Sequence, residues 1–192
     1  MYQKRNRELD VISLYTEDYK SEFYLRQIGK LAKLPLKTCQ NVLIILEKSK
    51  ILKSKLEGKN KYFSLNLDNI QTKSILLQSE IYKTDIFLEK YPQFKTFLKE
   101  LKTNTPVIIF GSFAKLTADK NSDLDLLIIS EKKQKFPFHL LSPKIHEIKL
   151  SETSFIKALK EQEALIKEIE ENHIILNNHS FYINVMWEQY EK

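Results

Sequence analysis

Two short apolar runs, VIIF at 107–110 and LDLLII at 124–129, bracket a segment that opens on Gly-Ser and closes on Asp-Leu-Asp, "FGSFAKLTADKNSDLDLLII". Runs of four to six apolar residues bounded by turn-forming residues are too short for helices and read as buried strands. The chain holds only three glycines, so one placed directly after a buried strand marks a special demand on the backbone. A strand that runs into Gly111-Ser112 and then a helical turn aims free backbone N–H groups at one spot, the arrangement that cradles phosphate. Asp123 and Asp125 stand at i and i+2, so a strand projects both carboxylates from one face while Leu124 and Leu126 point to the other. Two acids side by side repel unless a cation lies between them. Mg²⁺, which takes one or two carboxylates together with phosphate oxygens and water, resolves that repulsion, and such a site suits nucleotidyl transfer. Each half alone has a plainer reading, the Gly-Ser as a turn and the Asp-x-Asp as a solvated strand edge; the combination carries the chemistry.

Downstream, KIHEIKL at 144–150 reads as a third strand, and a helix is expected from about Thr153 to Glu171 with Phe155, Leu159, Ile166 and Ile169 on one face. HIILNNHSFYINVMW then closes the chain as a short strand and an apolar tail anchored by Trp187. His139, His173 and His179 share no metal-ligand spacing and read as surface or capping residues. Upstream, Asn69 to about Lys102 is helical except at Pro92. The N-terminal part gives three amphipathic stretches, about Arg5–Tyr15, YLRQIGKLAKL and LKTCQNVLIILEKS, the last restarting after Leu34-Pro35. A period-two stretch follows, ILKSKLEGKNKYFSLNL, with EGKN as its turn. Three helices and a hairpin is the order of a winged helix-turn-helix.

At 192 residues, 42% hydrophobic and 29% charged, the chain has the composition of soluble globular protein and the length of two small domains. No apolar run approaches the ~20 residues that cross a bilayer, and MYQKRNRELD lacks the apolar segment of a signal peptide, so no membrane partner and a cytoplasmic location are expected. Cys39, the single cysteine, falls on an apolar stripe with Leu36, Leu43 and Leu46 and reads as packing. Residues 1–68 hold 14 Lys and Arg against 8 Asp and Glu, which accounts for the whole net charge of +6. A basic module on a neutral body suits an anionic partner such as double-stranded DNA. In a winged helix, Lys37, Thr38, Gln40 and Asn41 would face a groove, while Lys53, Lys55, Lys59 and Lys61 on the wing would meet phosphates. Winged helices also dock proteins or dimerise, and that alternative stays open; a single wing binds weakly, so a homodimer is expected.

The Gly-Ser, the ten residues after it and the Asp-x-Asp within an apolar strand resemble the signature of the DNA polymerase β-like nucleotidyltransferase superfamily, nearest to its minimal nucleotidyltransferases and to archaeal members with an N-terminal winged helix-turn-helix domain. The resemblance implies an α+β chain: a winged helix-turn-helix over 1–68, a helical connector over 69–104, and a small mixed-sheet nucleotidyltransferase domain over 105–192. It implies a nucleoside triphosphate, most plausibly ATP, held by Gly111 and Ser112, with Mg²⁺ on Asp123 and Asp125. It implies transfer of AMP or another nucleotide to a macromolecule, including a protein acceptor such as a toxin partner. Family members place a third carboxylate on a later strand; here the only acid there is Glu147, either a ligand of longer reach or an ordinary exposed acid. A glycine common a few residues after the Gly-Ser is replaced by the Leu116-Thr117 stretch. The alternative function is a winged-helix transcriptional regulator whose nucleotidyltransferase fold only senses nucleotide.

Overall fold

The computed structural model describes residues 5–132 and 134–191; Met1–Lys4 of the N-terminal stretch lie outside them. The fold is mixed α+β and divides into two units, one running to Ser79 and taking back the residues from Met186, the other Glu80–Val185. No helix among the described residues is long and apolar enough to cross a membrane.

In the first unit, α1 (Arg7–Ile12) starts where the Asn6 side chain accepts the Glu8 and Leu9 N–H groups, and a 3-10 turn carries it on to Tyr15. A two-residue strand β1 (Phe23–Tyr24) was not expected; its pairing with Phe63 and Tyr62 is long-range, and two residues carry no periodicity. Helix α2 (Leu25–Leu31) ends on Lys33, which adopts a left-handed backbone at φ 52°, and Pro35 opens α3 (Leu36–Lys48). Strands β2 (Leu52–Glu57) and β3 (Asn60–Leu65) pair antiparallel about the turn at Gly58-Lys59, giving a sheet of order β1-β3-β2. Val11, Ile12, Tyr15, Ile28, Cys39, Leu43, Leu46, Leu52, Phe63 and Leu65 form its interior. The Tyr15 hydroxyl donates to the Phe63 carbonyl at 3.0 Å and ties the first helix to the sheet.

Helix α4 (Ile70–Lys90) contributes to both units, and α5 (Gln93–Glu100) follows it. The second unit is built on β4 (Val107–Phe110), followed by the single turn α6 (Gly111–Ala114), then β5 (Leu124–Ile129) and β6 (Ile145–Leu150). The expected long helix is two, α7 (Glu152–Glu161) and α8 (Ala164–Glu171), broken where Gln162 takes a left-handed backbone at φ 54°. Strand β7 (Ile174–Asn177) follows, and the expected apolar tail is a helix, α9 (His179–Tyr190), which buries Trp187 as anticipated. The sheet order is β6-β5-β4-β7, with β4 antiparallel to both neighbours and β5 parallel to β6. One face carries Val107, Ile109, Leu124, Leu126, Ile174 and Leu176 into an aromatic core of Phe87, Tyr91, Phe94, Phe97 and Phe113. The opposite face buries Ile108, Leu127, Ile129 and Ile175, and α7 packs on β6 there. Both faces of β4 are covered, which is why its sequence is apolar without alternation.

His173 is no surface residue. It is 2% exposed, with Nε2 3.0 Å from a Glu80 carboxylate oxygen and Nδ1 2.8 Å from the Ile169 carbonyl. Lys83 Nζ approaches the other Glu80 oxygen at 3.1 Å. Burial alone would push the Glu80 carboxyl up, but His173 and Lys83 outweigh it and hold the group well below the usual carboxylate range. A carboxyl depressed on folding stabilises the native state above its unfolded pKa, and that contribution is lost as pH falls through the lower folded value. Glu80→Gln is therefore expected to cost about 3–5 kcal/mol at pH 7. Urea unfolding should show the gap between variant and wild type closing as pH drops below the ordinary glutamate range; a gap independent of pH would show that the charge is not what stabilises.

Candidate active site

The site is set by one register. Phe110, the last residue of β4, pairs with Asp125 of β5, and the chain then turns at Gly111 with φ +67°, a backbone L residues rarely adopt. A Cβ at Gly111 would lie 2.4 Å from Asp125 Oδ2. Glycine is thus favoured twice, by its own backbone and by the carboxylate packed against it, whose oxygen a Cβ would force to shift. The Gly-Ser bend and the Asp-x-Asp strand meet at Asp125.

Asp123 lies just before β5, about half exposed, with Lys144 Nζ 3.7 Å from Oδ2. Asp125 is more enclosed, and His146 Nδ1 lies 3.2 Å from its Oδ1. The parallel register explains this contact, because Asp125 pairs with His146 and Leu126 with Glu147. Glu147 therefore projects with Leu126 from the opposite face of the sheet, where its carboxylate pairs with Lys149. The structure brings Gly111, Ser112, Asp123 and Asp125 to one end of β4 and β5 and leaves Glu147 out. His146, the residue before Glu147 on β6, takes the place beside Asp125. Alternation along KIHEIKL separates the two residues, but only the β5–β6 register says which of them joins the aspartates.

The segment between the two motifs is fixed locally. Thr117 N–H donates to the Ser112 carbonyl at 3.0 Å. Leu116 sits at φ 57°, left-handed in the stretch where the resemblance implies a glycine, and the Lys90 ammonium donates to its carbonyl. Asp119 Oδ1 accepts the Asn121 N–H at 2.9 Å and the Ser122 hydroxyl at 3.1 Å, and Ser122 Oγ accepts the Asp119 N–H. The Asn121 backbone bond leads the contacts that hold the Asp119 carboxyl below its ordinary value. This Asx turn delivers the chain into Asp123.

Residues 92–179 match the family model described as the nucleotidyltransferase domain, of the polymerase β-like superfamily. The match spans α5 through β7, all four strands and both site motifs. Searches against curated proteins and against solved structures gave no match. The family generally uses a nucleoside triphosphate and a divalent metal. Among the described residues no three His, Cys, Asp or Glu side chains are grouped to hold a metal by themselves. Two carboxylates nonetheless fit Mg²⁺ as it is usually bound with nucleotides, with phosphate and water supplying the other oxygens.

On the first unit, Lys37, Gln40 and Asn41 of α3 are exposed and Thr38 is half-buried. All four hairpin lysines, Lys53, Lys55, Lys59 and Lys61, are exposed, but Lys55 pairs with Glu22 at 2.6 Å and Lys61 with Glu47 at 2.8 Å. The same helix exposes Leu36, Ile44 and Ile45, each about half accessible.

Gly111→Ala is expected to destabilise the protein by about 1–2 kcal/mol through the left-handed backbone alone. The approach to Asp125 should add to this. Urea unfolding of Gly111→Ala, Asp125→Ala and the double variant should show coupling, the glycine substitution costing less once the carboxylate is gone. Simple additivity would mean the two residues do not press on one another.

Proposed function

We propose that this chain is a Mg²⁺-dependent nucleotidyltransferase that moves a nucleotide, AMP from ATP, to a macromolecular hydroxyl, with its N-terminal part acting as a winged helix-turn-helix that selects the target. The observation that carries the reading is the apposition of Gly111 and Asp125 within the segment matching the nucleotidyltransferase family. In this reading the domains run 1–68, 69–104 and 105–192, as the sequence suggests.

The backbone at Gly111 and Ser112 receives the triphosphate, since a bend without Cβ admits an anion close to its N–H groups. Asp123 and Asp125 hold Mg²⁺, which when bound neutralises charge on the triphosphate and polarises the α-phosphoryl group. The acceptor hydroxyl gives up its proton to solvent as its oxygen bonds to the α-phosphorus, the bond to the bridging oxygen breaks, and pyrophosphate leaves with that oxygen. The Asx turn at Asp119 keeps Asp123 at the mouth of the site. The acceptor is a protein hydroxyl, as in a toxin partner, or another macromolecule brought by the N-terminal unit acting as a homodimer on double-stranded DNA. Lys37, Gln40 and Asn41 suit a groove, and Lys53 and Lys59 suit phosphates. A second reading, a transcriptional regulator that senses nucleotide without transferring it, draws support from Glu147 standing on the far face of the sheet.

Incubation of the protein with α-labelled ATP, Mg²⁺ and a lysate supplying acceptors should give a labelled macromolecule. Asp123→Asn and Asp125→Asn should each lower the yield at least about 100-fold. ATP binding without transfer to any acceptor favours the regulator.

DNA affinity is expected to fall steeply with salt, and Lys53→Ala to flatten the log–log slope by about one. Salt-insensitive binding counts against the DNA role and favours protein docking through Ile44 and Ile45.

A further inference from the structure

We infer that His146 supplies a nitrogen donor to the metal held at Asp125, making this a mixed nitrogen–oxygen site that favours transition ions over magnesium more strongly than carboxylates alone would. The inference rests on the nucleotidyltransferase reading and deepens it by assigning a nitrogen donor beside the Asp125 carboxylate.

The parallel register sets His146 directly beside Asp125 on the face that carries the Gly111 bend. Its Nδ1 lies 3.2 Å from Asp125 Oδ1. That contact is a hydrogen bond as it stands; donors around an octahedral ion bound at about 2.1 Å are about 3.0 Å apart, so a cation taking the place of the shared proton would find the two atoms close to one coordination edge. The imidazole is 67% exposed, so its orientation costs no core packing. No acid competes for the position, because Glu147 projects from the other face and pairs with Lys149. One imidazole and one or two carboxylates leave positions for phosphate oxygens and water. Imidazole nitrogen raises affinity for first-row transition ions and does little for Mg²⁺, which prefers oxygen.

The test uses Mn²⁺ with inorganic triphosphate, a probe that carries no nitrogen of its own. Pulsed electron paramagnetic resonance of Mn²⁺ bound to the full chain should show ¹⁴N coupling from a coordinated imidazole, absent in His146→Ala and in His146→Gln. Titration calorimetry should show a Mn²⁺ over Mg²⁺ preference at least about tenfold greater in wild type than in either variant. Urea unfolding of the two variants establishes that they are folded. Mn²⁺ that binds, is lost in Asp125→Asn and shows no nitrogen coupling overturns the role of His146 while leaving the nucleotidyltransferase reading intact. Coupling that survives in both His146 variants overturns it equally. Failure of wild type to bind Mn²⁺ with triphosphate overturns both.

Discussion

The pairing of Phe110 with Asp125 is the constraint on which the site depends. Antiparallel neighbours fix which residue of β5 stands opposite the last residue of β4, and the turn that follows then has no freedom: it begins against a carboxylate. Only a residue without Cβ fits at 2.4 Å from that oxygen, and only glycine readily takes φ +67°. A slip of one residue in this register would turn Asp125 to the aromatic core and bring an aliphatic side chain to the bend. The buried runs VIIF and LDLLII oppose such a slip, since it would also move Leu124 and Leu126 away from Phe94 and Phe113.

The segment from Ser112 to Ser122 shows how a departure from the family pattern is absorbed. Leu116 keeps the left-handed backbone that glycine adopts freely, at a cost of about 1–2 kcal/mol. Its side chain packs against the aromatic core and its carbonyl takes the Lys90 ammonium, two contacts that offset the strain. Asp119 and Ser122 act at the other end, closing a turn whose bonds all lie within four residues.

What the sequence disclosed follows the range of the interactions. β4, β5 and β6 were legible because burial imposes a local apolar pattern, and the Gly-Ser and Asp-x-Asp stood out because residue type and spacing mark them. The break at Gln162 escaped because a non-glycine residue adopts the left-handed backbone there, and α9 escaped because its apolar residues surround the helix instead of forming a stripe. Glu147 was named as the only acid on the strand where the resemblance implies a third carboxylate, and the register of β5 with β6 puts His146 beside Asp125. The burial of His173 depends on Glu80, 93 residues earlier, which no local pattern connects to it.

The charges along β6 give that register a further consequence. Asp123, just before β5, and Asp125, on it, would repel, and the Lys144 ammonium, just before β6, lies near Asp123 while the His146 ring lies near Asp125. Asp123 is half exposed, so its pair with Lys144 is worth under about 1 kcal/mol and yields readily to a stronger cation. Such weak pairing offsets charge at Asp123 without holding its carboxylate rigidly. Glu47 and Glu22 do the same for Lys61 and Lys55 on the hairpin, so the excess positive charge of residues 1–68 is partly matched where it is densest. Lys53 and Lys59, exposed on the same hairpin, have no acidic partner among these ion pairs, so a phosphate approaching them displaces no carboxylate, as it must at Lys55 and Lys61.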